Sequence, residues 1–147
     1  MLKLAASIFA ASLAWAAAGS AAAPPPPAMN SETFQQQFSL KPGESAPTQF
    51  DPAWRVGFEG VLVDSRCPKG AQCVWAGDAT VRVWLQRGAE ARLSFELSTP
   101  PAPRQAISTL GYQLRLLQLD PYPVAGKAVV LQDYVATLAL ELSSTKE

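Results

Sequence analysis

Apolar and polar residues alternate in two neighbouring stretches of the chain, residues 79–85 (ATVRVWL) and 91–97 (ARLSFEL). A period of two is typical of β-strands that bury one face. The predicted inward face consists of Ala79, Val81, Val83, Leu85, Ala91, Leu93, Phe95 and Leu97. The short segment Gln86–Glu90 between the stretches contains a glycine and suits a hairpin loop, so the two strands are predicted to be antiparallel neighbours.

Two further strands are predicted towards the C-terminus. Residues 112–116 alternate, but Leu117 and Leu119 fall on the opposite parity, so a β-bulge is predicted where the phase changes. Residues 134–142 (YVATLALEL) alternate throughout and are predicted to form the last strand of the domain.

The N-terminal part of the domain carries strand and turn signals of its own. A short strand through Phe38 and Leu40 precedes Lys41-Pro42-Gly43-Glu44, where proline and glycine occupy the positions that a type II turn requires. Residues 54–64 (WRVGFEGVLVD) indicate a longer strand, with a bend at Glu59-Gly60.

These patterns together predict the fold class. Proline-rich connections lie at 98–106 and 120–126, and the mature chain shows no helical period. About six to eight strands with turn signals at short intervals predict an all-β fold, either an antiparallel β-sandwich or a small barrel, with the sandwich preferred.

The first residues are typical of an export signal. Lys3 precedes an apolar run from Leu4 to Ala18, which is shorter than a membrane span of about 20 residues and continues into small residues suited to cleavage. We therefore predict a signal peptide at 1–22, a proline-rich leader at 23–33, a single domain at 34–143 and a short tail at 144–147. The mature chain is expected to be exported, periplasmic or secreted, with no integral membrane segment.

The charge balance excludes several classes of partner and chemistry. The 12 Lys and Arg residues match the 12 Asp and Glu residues, and no basic cluster is present, which argues against nucleic-acid binding. The chain contains no histidine, so Ser-His-Asp or Cys-His nucleophiles and the usual zinc, copper and haem ligand sets cannot be assembled. No cofactor or metal is expected.

The two cysteines, Cys67 and Cys73, are predicted to form a disulfide because the protein is expected to be exported. A loop this short contributes roughly 2 kcal/mol through the entropy of the unfolded chain, so local shape is the stronger reason for the bond. Pro68 and Gly70 restrict and turn the enclosed backbone, and the loop is therefore expected to be a rigid protrusion. Two thiolates without histidine leave a zinc site incomplete.

The central motif VDSRCPKGAQCVWAGDATV, with FSLKPGE before it and LDPYP and DYVATLAL after it, resembles a family of small exported, largely uncharacterised bacterial proteins. That family carries an Asp-Ser-Arg-Cys-Pro signature followed by Cys-x-Trp-x-Gly. The resemblance extends from about Phe34 to Leu142. It implies export and a β-domain, and it implies no mechanism.

Four polar residues beside the cysteines are candidates for function. Asp64 and Asp78 flank the loop and could form an acid/base pair or hold a calcium ion, although the simpler interpretation is that each caps its own turn. Arg66 and Lys69 are candidate recognition side chains on the constrained loop.

Three aromatic residues raise the question of a contact surface. Trp75 follows Cys73 and is expected to pack on the disulfide or to close one end of the sandwich rather than to contact a ligand. Trp84 falls on the outer face of its strand, where it either stacks on a ligand or covers another part of the fold. Tyr122, between two prolines, is available for contact or packs against a sheet rim.

Three functions follow from these residues. The first is a non-catalytic exported domain that binds a protein or glycan of the envelope or extracellular space, and we do not expect an enzyme. The second is a protease inhibitor that presents the Cys67–Cys73 loop with Lys69 or Arg66 as the specificity residue. The third is a hydrolase or lyase based on Asp64, Asp78 and Arg66.

Overall fold

The structure, a computed structural model, describes residues 35–143. The signal peptide, leader and tail predicted at 1–22, 23–33 and 144–147 lie outside the described residues, as does Phe34. The strands are β1 (Gln35–Leu40), β2 (Ser45–Pro47), β3 (Trp54–Asp64), β4 (Ala79–Arg87), β5 (Leu93–Ser98), β6 (Ala106–Thr109), β7 (Tyr112–Asp120) and β8 (Val135–Leu142). A single turn of 3-10 helix, Leu131–Asp133, precedes β8.

The strands form two antiparallel sheets of four strands each. One sheet has the order β1-β8-β7-β6, and the other has the order β2-β3-β4-β5. The two sheets share no paired strand, so the fold is an open sandwich rather than a closed barrel. The predicted all-β sandwich is confirmed, and so is the antiparallel pairing of β4 with β5.

The core lies between the sheets and is built by the alternation that the sequence shows. Sixteen buried hydrophobic residues form one cluster: Phe38, Leu40, Val56, Phe58, Ala79, Val81, Val83, Leu85, Leu97, Leu114, Leu116, Leu119, Tyr134, Ala136, Leu138 and Leu140. The predicted inward face of β4 is buried along its whole length. On the predicted inward face of β5, only Leu97 near the end of the strand is fully buried. Leu93 is 40% exposed, and Ala91 precedes the strand.

Bulges and one turn occur where the sequence predicts them. The register of β7 against β8 shifts between Leu116 and Gln118, and that of β3 against β4 shifts between Phe58 and Gly60. A second shift in β3, between Val61 and Val63, was not expected from the sequence. In the turn at 41–44, the amide of Glu44 donates to the carbonyl of Lys41 at 2.9 Å, and Gly43 has a φ of +85°, as a type II turn requires.

Trp84 points to the outer face of β4, as predicted, yet only 6% of it is exposed. Its indole lies over Gly57, the residue opposite it on β3, and the guanidinium of Arg92 stacks on its other side at 4.1 Å from the ring centroid. Of the two interpretations of Trp84, the structure supports the second: the side chain is not free on the surface for a ligand but covers its own sheet, because Gly57 leaves room for the ring and Arg92 closes over it.

Gly57→Ala is expected to lower the free energy of unfolding by about 2 kcal/mol, because an added Cβ would overlap the Trp84 indole and force the ring to move. The same substitution in a Trp84→Leu background removes the overlap and is expected to cost less than about 0.5 kcal/mol. Urea denaturation of the four proteins measures both steps. An equal cost in both backgrounds would show that the indole does not need the glycine.

Candidate functional site

One end of the sandwich carries both cysteines. We call this end the cysteine pole and define it as residues 62–79, 98–105 and 119–134. Arg66 is the best-connected side chain there. Its side chain is 6% exposed. Nε and Nη2 donate to the two carboxylate oxygens of Asp64 at 2.8 and 2.7 Å, which is a bidentate ion pair. Nη1 donates to the carbonyl of Leu119 at 2.7 Å, and Nη2 also donates to that of Pro121 at 3.1 Å.

Asp64 is held as an anion by these contacts. Its Oδ2 also accepts a hydrogen bond of 2.9 Å from the hydroxyl of Tyr134, a residue that is only 5% exposed. Burial alone would raise the pKa of Asp64, but the hydrogen bonds from Arg66 and Tyr134 outweigh burial, so the pKa lies below its ordinary value of 3.8. Burial and the bond to Asp64 raise the pKa of Tyr134.

The loop from Ser65 to Asp78, which we call the stapled loop, has two paired arms. The amides of Ser65 and Cys67 donate to the carbonyls of Asp78 and Ala76, both at 2.8 Å. The predicted disulfide between Cys67 and Cys73 is present, with the two Cα atoms 5.9 Å apart. Gly77 has a φ of +65°, and a Cβ at this position would overlap the Ser65 carbonyl, so only glycine fits between the arms.

The stapled loop rests on the segment Pro121–Lys127, which connects β7 towards β8. The Lys69 amide donates to the Pro123 carbonyl, and the Ala125 amide donates to the Lys69 carbonyl, both at 2.9 Å. The hydroxyl of Tyr122 donates to the Cys67 carbonyl at 2.8 Å. The loop is therefore attached to the domain at its tip as well as at its base.

Three of the candidate residues are part of this attachment. Arg66 is buried with four bonds made, so its guanidinium is not available on the surface as a recognition group. Tyr122 is 40% exposed, but its ring lies 5.0 Å from the Arg66 guanidinium and 5.6 Å from the Lys69 ammonium, and its hydroxyl is bonded. The side chain of Lys69 is exposed, whereas its backbone is fixed by two hydrogen bonds.

The structure does not combine Asp64 and Asp78 into one carboxylate pair. Both oxygens of Asp64 are taken by Arg66 and Tyr134. The side-chain oxygens of Asp78 accept no hydrogen bond from residues 35–143, while its backbone serves the base of the stapled loop. The two aspartates therefore have different surroundings and different roles.

Trp75 is where the expectation from the sequence is wrong. The residue does not pack on the core: it is 82% exposed, and its neighbour Val74 is 88% exposed. The core at the cysteine pole is formed instead by Leu119 and Tyr134, which are buried. Sequence reasoning also missed Tyr134 as a partner of Asp64, although a tyrosine on an inward face must find a partner for its hydroxyl.

Exposed apolar side chains are concentrated at the cysteine pole. They are Leu62, Val63, Val74, Trp75, Tyr122, Val124, Val130 and Leu131. Shallow depressions lie beside Lys69 and Tyr122, beside Trp75 and beside Val130. An accumulation of this kind is typical of an interaction surface.

Within the described part of the chain, no three His, Cys, Asp or Glu side chains are grouped as metal ligands, and no helix has the length and hydropathy of a membrane span. Comparisons with protein-family models, with curated proteins and with solved structures gave no match.

Asp64→Asn is expected to lower the free energy of unfolding at pH 7 by roughly 3 kcal/mol, because it leaves the buried Arg66 charge uncompensated. Since the folded pKa of Asp64 lies below 3.8, the stabilisation is fully present above that value and is lost as the pH falls through the folded pKa. The difference between wild type and variant in urea denaturation should be constant from about pH 7 to 5 and should shrink below about pH 4.

Asp78→Asn is the matched control, since its carboxylate accepts no bond from the described residues, and it should change stability by less than about 0.5 kcal/mol. A difference for Asp64→Asn that persists unchanged at low pH would contradict the assignment of Asp64 as the titrating partner.

Proposed function

We propose that this chain is an exported, non-catalytic binding domain that contacts a component of the cell envelope or extracellular space through its cysteine pole. The observation that carries the proposal is the 82% exposure of Trp75 on a loop that is fixed at both its base and its tip. Tryptophan is the residue type most enriched among those that dominate binding energy. Trp75 is also not exposed alone, since Val74 beside it is 88% exposed, and grouped exposed apolar side chains are typical of interaction surfaces.

Rigidity of the stapled loop supports recognition. The disulfide, the paired arms and the two bonds of Lys69 to Pro121–Lys127 order the loop before any partner arrives. A partner therefore does not have to supply the entropy cost of ordering it. Export, which rests on the predicted signal peptide, is compatible with an oxidised cysteine pair.

The chemistry of the aspartates favours a non-catalytic role. A general acid or base must exchange protons near the working pH, and the pKa of Asp64 is lowered by bonds that hold it ionised. The carboxylate functions as the anchor of Arg66. Among residues 35–143, the carboxylate of Asp78 shares no hydrogen bond with a second titrating group that would complete a carboxylate pair.

The protease-inhibitor alternative receives less support. A substrate-like loop presents the backbone of its specificity residue to the protease, whose oxyanion hole receives the carbonyl. In the stapled loop, both backbone groups of Lys69 are engaged by Pro123 and Ala125, and Arg66 is buried. A trypsin-like protease assayed with wild type and with Lys69→Ala separates the two functions, because the binding proposal expects no inhibition by either protein.

The mature, oxidised domain is expected to capture a defined component from the envelope or culture fluid of the producing cell, and Trp75→Ala is expected to abolish the capture. The variant should keep its free energy of unfolding within about 0.5 kcal/mol, since the side chain is largely in water. Affinity capture followed by identification of the retained protein or glycan is the measurement.

Leu142→Ala is the matched control, because Leu142 is 44% exposed but lies at the end of β8 opposite the cysteine pole. It should capture as wild type does. A Cys67→Ser/Cys73→Ser variant should capture more weakly. Equal capture by wild type and Trp75→Ala would place the binding surface elsewhere and overturn the proposal.

A further inference from the structure

The depression beside Trp75 combines an aromatic platform with a carboxylate that is free to accept hydrogen bonds. It is lined by Ser65, Trp75, Ala76, Gly77, Asp78, Pro101 and Ala102. Its volume is about 470 Å³, which is in the range of small-molecule sites. Trp75 provides an accessible ring, and Asp78 is half-buried with its carboxylate oxygens unbonded by residues 35–143.

The part of the depression that Pro101 and Ala102 form is fixed to the sheet. The Ala79 amide donates to Oγ1 of Thr99, and the Thr99 amide donates to the Ala79 carbonyl, both at 2.9 Å. The Ala102 amide donates in turn to the Thr99 carbonyl at 3.2 Å. These bonds hold the turn that carries Pro101 and Ala102 against the start of β4.

The floor is equally constrained. Gly77 packs against the Ser65 carbonyl so closely that no side chain fits, and the Ser65 hydroxyl donates to the Asp78 carbonyl at 2.8 Å. The backbone around the depression is therefore fixed before a ligand binds, which lowers the entropy cost of binding.

We propose that this depression is a subsite for a sugar ring of a neutral oligosaccharide, with one ring face stacked on Trp75 and a hydroxyl donating to Asp78. The inference rests on the proposed binding function and names its ligand class. A sugar presents an apolar C–H face and a rim of hydroxyl donors, which match a π-face and an acceptor-only carboxylate.

The local backbone favours a sugar over a peptide. An extended peptide binds by pairing with free backbone groups of an exposed strand. The residues that line the depression all lie in connections between strands, so the depression offers no strand edge for such pairing. The carboxylate of Asp78 also disfavours an anionic sugar, which would bring like charges together.

The test uses the mature, oxidised domain and three neutral tetrasaccharides, cellotetraose, maltotetraose and chitotetraose, with tetragalacturonate as the anionic probe. The indole N–H resonance of Trp75, assigned with Trp75→Phe, reports contact, and calorimetry gives the affinity. At least one neutral probe is expected to shift this resonance. Trp75→Ala should weaken its binding by at least about tenfold, and Asp78→Ala by about three- to tenfold.

Leu131→Ala is the control, because Leu131 is 63% exposed at the same pole but does not line the depression. Its affinity should remain within about twofold of wild type. The inference is overturned if no neutral probe shifts the Trp75 resonance, if Trp75→Ala retains the affinity, or if tetragalacturonate binds as well as the neutral probes. If any of these results is obtained while the domain still captures a protein component, the sugar subsite is rejected and the proposed binding function is retained.

Discussion

The buried ion pair between Arg66 and Asp64 is the interaction on which the cysteine pole depends. One guanidinium joins the end of β3, through Asp64, to the end of β7, through the carbonyls of Leu119 and Pro121. Tyr134 adds the start of β8 through the same carboxylate. Because both charges lie out of water, the pair is stable only if every donor and acceptor is satisfied, and residues 35–143 contain no buried side-chain polar atom without a partner.

The ion pair also determines which residues of the pole are free to act. Arg66, Tyr122 and the backbone of Lys69 are used to fix the stapled loop in place, so they support the surface rather than form it. Trp75 and the carboxylate of Asp78 take no part in these bonds, and they lie on either side of Gly77 in the chain. The contact site that we propose consists of these two residues, which look ordinary in the sequence.

Alternation was enough to predict most of the strands and the bulge in β7, because these depend on neighbours close in the chain. The positions of proline and glycine predicted the turn at 41–44, and the number of strands predicted the sandwich. The short strands β2 and β6 were not predicted. The disulfide followed from its expected compartment. The network around Arg66 could not be predicted in this way, since its partners Leu119, Pro121 and Tyr134 lie far along the chain and two of them contribute backbone carbonyls that have no residue signature. The two interpretations of Trp84 could not be separated from the sequence either, since the ring is buried by Gly57 and Arg92, which lie outside its own strand. The expectation for Trp75 is wrong, because the residue is 82% exposed.

The central claim is that Arg66 holds the stapled loop against the segment Pro121–Lys127. Amide hydrogen exchange in Arg66→Lys tests it most directly, because lysine keeps the charge but cannot make the forked contacts. The account predicts that the amides of Lys69 and Ala125 lose protection against exchange. The Cys67 amide, which is bonded within the loop, and the Val83 amide in the core should keep their protection once any change in the global free energy of unfolding is subtracted. Unchanged protection of Lys69 and Ala125 would show that the loop is held without Arg66 and would contradict the account.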